Sequence, residues 1–149
     1  MTLKERLSAD LRQAQKGGDK VRTSVLRLVV SGIKYAEIDK GAELDDAGVL
    51  DVLGREVKQH RESIAEFAKG NRPDLVQRNE EELAILMEYL PAQMSREEIE
   101  AVARQVMEQV GARGPADKGK VMGQLMPQVK GKADGKEVND VVTELLAGV

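Results

Sequence analysis

The sequence predicts an all-α protein, with an N-terminal bundle of about four helices followed by a smaller three-helix domain. Three observations point there. Apolar residues recur at spacings of three and four along nearly the whole chain. Hydroxyl or aspartate side chains precede a glutamate by three residues at Thr2–Glu5, Ser95–Glu98 and Asp134–Glu137, the pattern of a capped helix start. The β-branched run Val21, Val25, Val29 and Val30 is interleaved with Arg22, Arg27 and Lys34, so it reads as helix and not as strand.

Taken in order, Leu3, Leu7, Leu11 and Ala14 line the first helix, which Gly17-Gly18 stops. Asp19 caps the second, with Val21, Val25, Leu28, Gly32 and Ala36 expected on its apolar side. The region from Asp39 to Asp46, containing Gly41, reads as a loop, and Asp45 or Asp46 caps the third helix. That helix carries Val49, Leu53, Val57, His60, Ile64 and Phe67 in one row and ends at Gly70. Pro73 suits the first turn of the fourth, whose row is Leu75, Asn79, Leu83, Leu86 and Leu90 before the Pro91 stop. The fifth helix buries Ile99, Val102, Val106 and Val110 and stops at Gly111. Pro115 opens the sixth, with Val121, Met122, Leu125, Met126 and Val129 inward. Lys130 to Gly135 is a loop, and Val138, Val141, Val142 and Leu145 line the seventh helix. The break between Leu90 and Ser95 divides the chain into residues 1–93 and 94–149.

Composition narrows the function. The 149 residues contain no cysteine, which excludes disulfides and thiolate metal sites. Only Tyr35, Phe67 and Tyr89 are aromatic, which leaves almost nothing for stacking platforms of the kind sheet-type RNA binders use. No apolar run approaches the roughly 20 residues of a membrane span, and the N-terminal Met-Thr-Leu-Lys-Glu-Arg has no apolar signal stretch. The expectation is a cytoplasmic protein, with no membrane partner and no cofactor.

Three stretches carry a family resemblance. They are Asp19-Lys20-Val21-Arg22 with Leu26-Arg27-Leu28, Tyr89-Leu90-Pro91-Ala92-Gln93-Met94, and Gly119-Lys120-Val121-Met122-Gly123 with Leu125-Met126-Pro127 and Lys130-Gly131-Lys132-Ala133-Asp134-Gly135. Together they resemble the YqeY family along the whole chain. The C-terminal part is also similar to the tail domain of the B subunit (GatB) of glutamine-dependent aspartyl/glutamyl-tRNA amidotransferase. There a helical appendage contacts tRNA while the amide chemistry takes place in other domains. The resemblance therefore implies tRNA recognition. The carbon–nitrogen ligase label that accompanies the family, with glutamine as amido-N donor, finds no catalytic constellation in these residues, and no catalytic residue is assigned.

The residues themselves point to one segment. Between positions 113 and 136, Arg113, Lys118, Lys120, Lys130, Lys132 and Lys136 face only Asp117 and Asp134, a local balance of +4 in a chain of net charge −3. Gly119, Gly123, Gly131 and Gly135 are interleaved. Glycine admits close backbone approach and lysine offers point charges to phosphates, while the sixth and seventh helix N-termini can add N–H donors. The expected RNA-binding set is Arg113, Lys118, Gly119, Lys120, Lys130, Gly131, Lys132 and Lys136; the alternative is an ordinary solvated loop.

Other features carry less. Gly114 to Val121 follows phosphate-loop spacing as far as its lysine, but Val121 stands where magnesium needs a hydroxyl. His60, the single histidine, has no second histidine or cysteine to share a metal and reads as a hydrogen-bonded core residue. Glu80-Glu81-Glu82 point in different directions on a helix and read as solvating charges. Lys20, Arg27 and Lys34 recur every seven residues and keep one face of the second helix basic, which reads as a solvated face with a second RNA contact as the alternative. Met87, Met94, Met107, Met122 and Met126 read as gap-filling core.

Three functions follow from this reading. The first is a tRNA-binding accessory module, acting alone or with a translation or tRNA-charging enzyme. The second is a helical protein-interaction adaptor that does not touch RNA. The third is an amidotransferase-associated component.

Overall fold

Five of the seven helices begin where a side chain satisfies one of the first free N–H groups. Thr2 Oγ1 accepts from Glu5 N–H at 3.1 Å and starts α1 (Leu3–Gly17), which Gly18 ends in the left-handed conformation at φ 72°. Asp19 accepts from Arg22 N–H at 3.0 Å and opens α2 (Lys20–Lys40). Asp45 accepts from Gly48 N–H at 2.9 Å and opens α3 (Asp46–Lys69). Pro73 occupies the first turn of α4 (Pro73–Met87), where its missing N–H leaves nothing unpaired. Ser95 and Glu98 form a full capping box before α5 (Arg96–Val110). Pro115–Asp117 is a 3-10 turn that leads into α6 (Lys118–Val129), and Asp134 caps α7 (Gly135–Ala147). The computed structural model describes all residues, Met1–Val149, and contains seven α-helices and no strand.

The chain divides into two compact units, Met1–Leu90 and Pro91–Val149. In the first, α3 packs along α4 and α1 along α2 around Leu7, Leu26, Leu53 and Leu86, all fully buried. At Gly32 α2 packs tightly on α3: a Cβ at this position would lie 3.1 Å from Val52 Cγ1. His60 lies in this core, its Nδ1 donating to Glu56 O at 2.9 Å, with Nε2 3.5 Å from a Glu82 oxygen across the α3–α4 contact. Glu82 is thus a partly buried partner of His60, where its neighbours suggested a solvating charge. In the second unit, α5, α6 and α7 close around Ile99, Val121, Leu125, Val138 and Leu146. Met94, Met107, Met122 and Met126 fill the margin of that core.

The apolar face of α2 differs from the expected row. Val25, Leu26, Val29 and Ile33 are buried, while Leu28 is exposed. The helix offers more than one apolar row, and the row of Val25, Leu26, Val29 and Ile33 takes the core side, turning Leu28 outward. The sixth helix also starts three residues later than Pro115 suggests, because that proline initiates the 3-10 turn.

Polar clasps fix α1 in the first unit. Lys4 Nζ reaches Glu37 at 2.7 Å, and the same carboxylate accepts Leu44 N–H at 2.9 Å, which joins α1, α2 and the loop after α2. The Lys4 bond, then the Leu44 N–H, lowers the Glu37 pKa below its ordinary value. Its contribution is therefore present above the ordinary carboxylate range and is lost as pH falls through the lowered value. Tyr89 O–H donates to Asp10 at 2.6 Å, beneath the Arg6 guanidinium 4.6 Å from the ring centroid. Burial first, then the Asp10 bond, push the Tyr89 hydroxyl up to about 12. The stabilisation is complete below pH about 10 and is lost as pH rises through about 12, because the folded state holds the proton more tightly than the unfolded chain. In a Tyr35→Phe chain, where Tyr89 is the only tyrosine, tyrosinate absorbance should appear near pH 12; appearance near pH 10 would show that the clasp is absent.

Candidate functional site

The basic segment is one stretch in sequence but two clusters in space. The 12 residues of α6 span about 18 Å at 1.5 Å per residue. Arg113, Lys118 and Lys120 lie at its N-terminal end, and Lys130, Lys132 and Lys136 lie beyond its C-terminal end and in the first turn of α7. Five of the six are exposed and Lys118 is half-buried.

The first cluster is organised by Asp117, a residue the sequence reading treated only as a charge offset. Its Oδ2 accepts Arg113 N–H at 2.8 Å, closing the turn that carries Arg113, and its Oδ1 lies 3.9 Å from Lys120 Nζ. No side chain caps the N-terminus of α6. The second cluster sits on an ordered loop. Lys132 O accepts Met94 N–H at 2.8 Å, Gln93 Nε2 donates to Gly131 O at 3.0 Å, and Lys132 and Ala133 N–H both return to Val129 O. Gly131 adopts φ 78°, so the turn itself requires glycine there. Asp134 Oδ1 accepts Lys136 N–H at 3.4 Å, so the N-terminus of α7 already faces a carboxylate. The expected N–H donors are in this way taken up within the chain at the seventh helix, and at α6 the 3-10 turn does the same, with Asp117 N–H bonded to Gly114 O and Lys118 N–H to Pro115 O.

Between the clusters, the outward ridge of α6 is nearly bare. Gly119, Gly123 and Pro127 follow one another at four-residue intervals, all exposed. A Cβ built on Gly119 or Gly123 would meet no atom within 4 Å. Packing therefore does not require glycine at either position, although glycine inside a helix costs about 1 kcal/mol relative to alanine. Pro127 lies inside the helix as well, so α6 holds its conformation through the buried Val121, Leu125 and Val129, against its own propensities. The signal for this ridge was available in the i, i+4, i+8 spacing of Gly-Gly-Pro. The resemblance to phosphate-loop spacing at Gly114–Val121 falls on the 3-10 turn and the start of α6, preceded by the helix α5 and not by a strand.

Comparison with known proteins extends over both units. A profile of the family described as Yqey-like protein matches residues 4–146. Altered inheritance of mitochondria protein 41, mitochondrial, of Kluyveromyces lactis is 37% identical over 134 residues, covering 87% of this chain and 68% of the yeast protein. The protein of that name from Lachancea thermotolerans is 41% identical over 85 residues, 56% of this chain and 46% of its own length. The one from Pyrenophora tritici-repentis is 27% identical over 145 residues, 95% of this chain and 79% of its own. The chain thus spans between about half and four-fifths of these relatives. Their names overturn the expectation of a cytoplasmic protein, since all three are named as mitochondrial. The features behind that expectation, an absence of cysteine and of an apolar stretch in the first residues, do not separate one compartment from another. No helix is long and apolar enough to cross a membrane. With a family pattern that runs from α1 to α7, the chain belongs to the YqeY-like family.

Proposed function

We propose that the chain is an RNA-binding accessory module whose second unit docks on structured RNA, tRNA in the first instance, by laying the bare ridge of α6 along the backbone with cations at both ends. The observation that carries this reading is the pair of exposed glycines, Gly119 and Gly123, placed between the two basic clusters without any packing reason for glycine. The similarity of the segment to an amidotransferase tail domain supports tRNA as the RNA, and a translation or tRNA-charging enzyme as the partner that supplies the chemistry. Clusters at the two ends of a helix about 18 Å long meet two separated stretches of phosphates, which favours a folded RNA over an extended strand. Lysine is a point charge, so recognition follows shape more than base sequence.

Two experiments test this reading. Ultraviolet crosslinking of the chain in cells, with mass spectrometry of the adducts, should place attached RNA on peptides within residues 113–136; adducts elsewhere, or none, would count against it. The double change Gly119→Ala with Gly123→Ala should raise stability by roughly 1–2 kcal/mol, since each alanine is the better helix former and meets no neighbour. The same change should weaken tRNA binding by holding the backbone away. Higher stability with unchanged binding would show that the ridge is not a contact.

A further inference from the structure

Apart from the terminal Met1 and Val149, the chain exposes three large hydrophobic residues, Leu28, Tyr35 and Ile38 at 47%, 71% and 74%, and all three lie on α2. They fall into a heptad register. Val21, Leu28 and Tyr35 take the a positions, Ser24, Ser31 and Ile38 the d positions, and Lys20, Arg27 and Lys34 every g position. The e positions Val25 and Gly32 turn toward the first unit's own core, where Gly32 meets Val52. The g flank left open to a partner is therefore basic throughout, with the exposed Asp39 the one acidic residue, at the last e position, and Lys20, Arg27 and Lys34 make no ion pair. A groove of about 620 Å³ lined by Lys20, Ser24, Arg27, Leu28 and Ser31 runs along the N-terminal half of this seam, with small serines at d that admit a large partner side chain beside Leu28.

We infer that this face of α2 docks an amphipathic helix of another protein that carries an apolar row flanked by glutamate or aspartate. Charge selects this occupant, because residues at g pair with oppositely charged flanking residues of the facing helix and so set partner choice. A second α2 fits poorly. Antiparallel, its Lys20, Arg27 and Lys34 would face their own copies; parallel, they would face Val25, Gly32 and Asp39, of which only the last is acidic. The face belongs to the first unit, the proposed RNA-binding segment to the second.

The test uses the full chain and two fluorescent peptides of about four heptads, both with leucine at a and d, one with glutamate and the other with lysine at e and g. In fluorescence anisotropy the glutamate peptide should bind at least roughly tenfold more tightly, against the net charge of −3, which by itself favours the lysine peptide. Arg27→Glu with Lys34→Glu should reverse the preference, and Arg27→Gln with Lys34→Gln should reduce it without reversal. Tyr35→Ser with Ile38→Ser should weaken glutamate-peptide binding roughly tenfold while the helical circular dichroism is kept, as these side chains are exposed. Equal binding of the two peptides, binding of neither, or tRNA binding lost in the Arg27→Glu, Lys34→Glu chain with both peptides ignored would each overturn the inference; the last result would make the face an RNA contact.

Discussion

In a Leu125→Ala chain the second unit is expected to lose about 2–5 kcal/mol of stability, the range for removing a fully buried leucine and leaving a cavity. Leu125 is completely buried between α5, α6 and α7. A unit of this size has roughly 3–9 kcal/mol in total at the usual 0.05–0.15 kcal/mol per residue. The substitution thus removes a large part of what holds α6, a helix with two exposed glycines and an internal proline that cannot persist through propensity. Urea titration should show a lower midpoint, and amide hydrogen exchange should show protection lost across α5–α7. A loss below about 1 kcal/mol would mean that the site collapses around the smaller side chain and that α6 is held by something other than this core.

Charge reversal at one end of α6 should separate binding from folding. Lys132→Glu with Lys136→Glu removes two cations from the loop and the first turn of α7 and introduces two repulsive charges. Affinity for tRNA is expected to fall roughly tenfold or more at low salt. Both side chains are exposed, and a glutamate in the first turn of α7 is compatible with the helix dipole, so the melting temperature should hold. Lys120→Glu at the other end should weaken binding independently, by a smaller factor. If the Lys132→Glu, Lys136→Glu chain binds tRNA as the unaltered chain does, the loop is an ordinary solvated turn.

The architecture was legible because its signals are local. Thr2, Asp19, Asp45, Ser95 and Asp134 all cap the helices assigned to them, and Gly18, Gly41 and Gly111 end helices in the left-handed conformation. What escaped depended on which side of a helix faces inward. Periodicity placed Leu28 in the core because Val21, Val25 and Leu28 keep helical spacing, yet a helix apolar over much of its surface offers two such rows, and only packing against α3 and α4 decides between them. The same limit hid the His60–Glu82 contact, which joins residues 22 positions apart on different helices. At the candidate site the cations were legible as a charge cluster, but their division was not: a contiguous segment becomes two clusters once α6 forms between them. The roles of Asp117 and Gln93 come from hydrogen bonds to backbone atoms, which residue type alone does not reveal.

The central claim is electrostatic docking on RNA through a small number of lysine contacts, and the dependence of tRNA affinity on salt reads that number. With two or three phosphates neutralised and a coefficient of about 0.7 (single strand) to 0.9 (duplex) per contact, log affinity should fall against log salt with a slope of roughly −1.4 to −2.7, so that a fourfold rise in salt weakens binding by roughly seven- to fortyfold. A slope near zero, or no measurable tRNA binding at low salt, would contradict the claim.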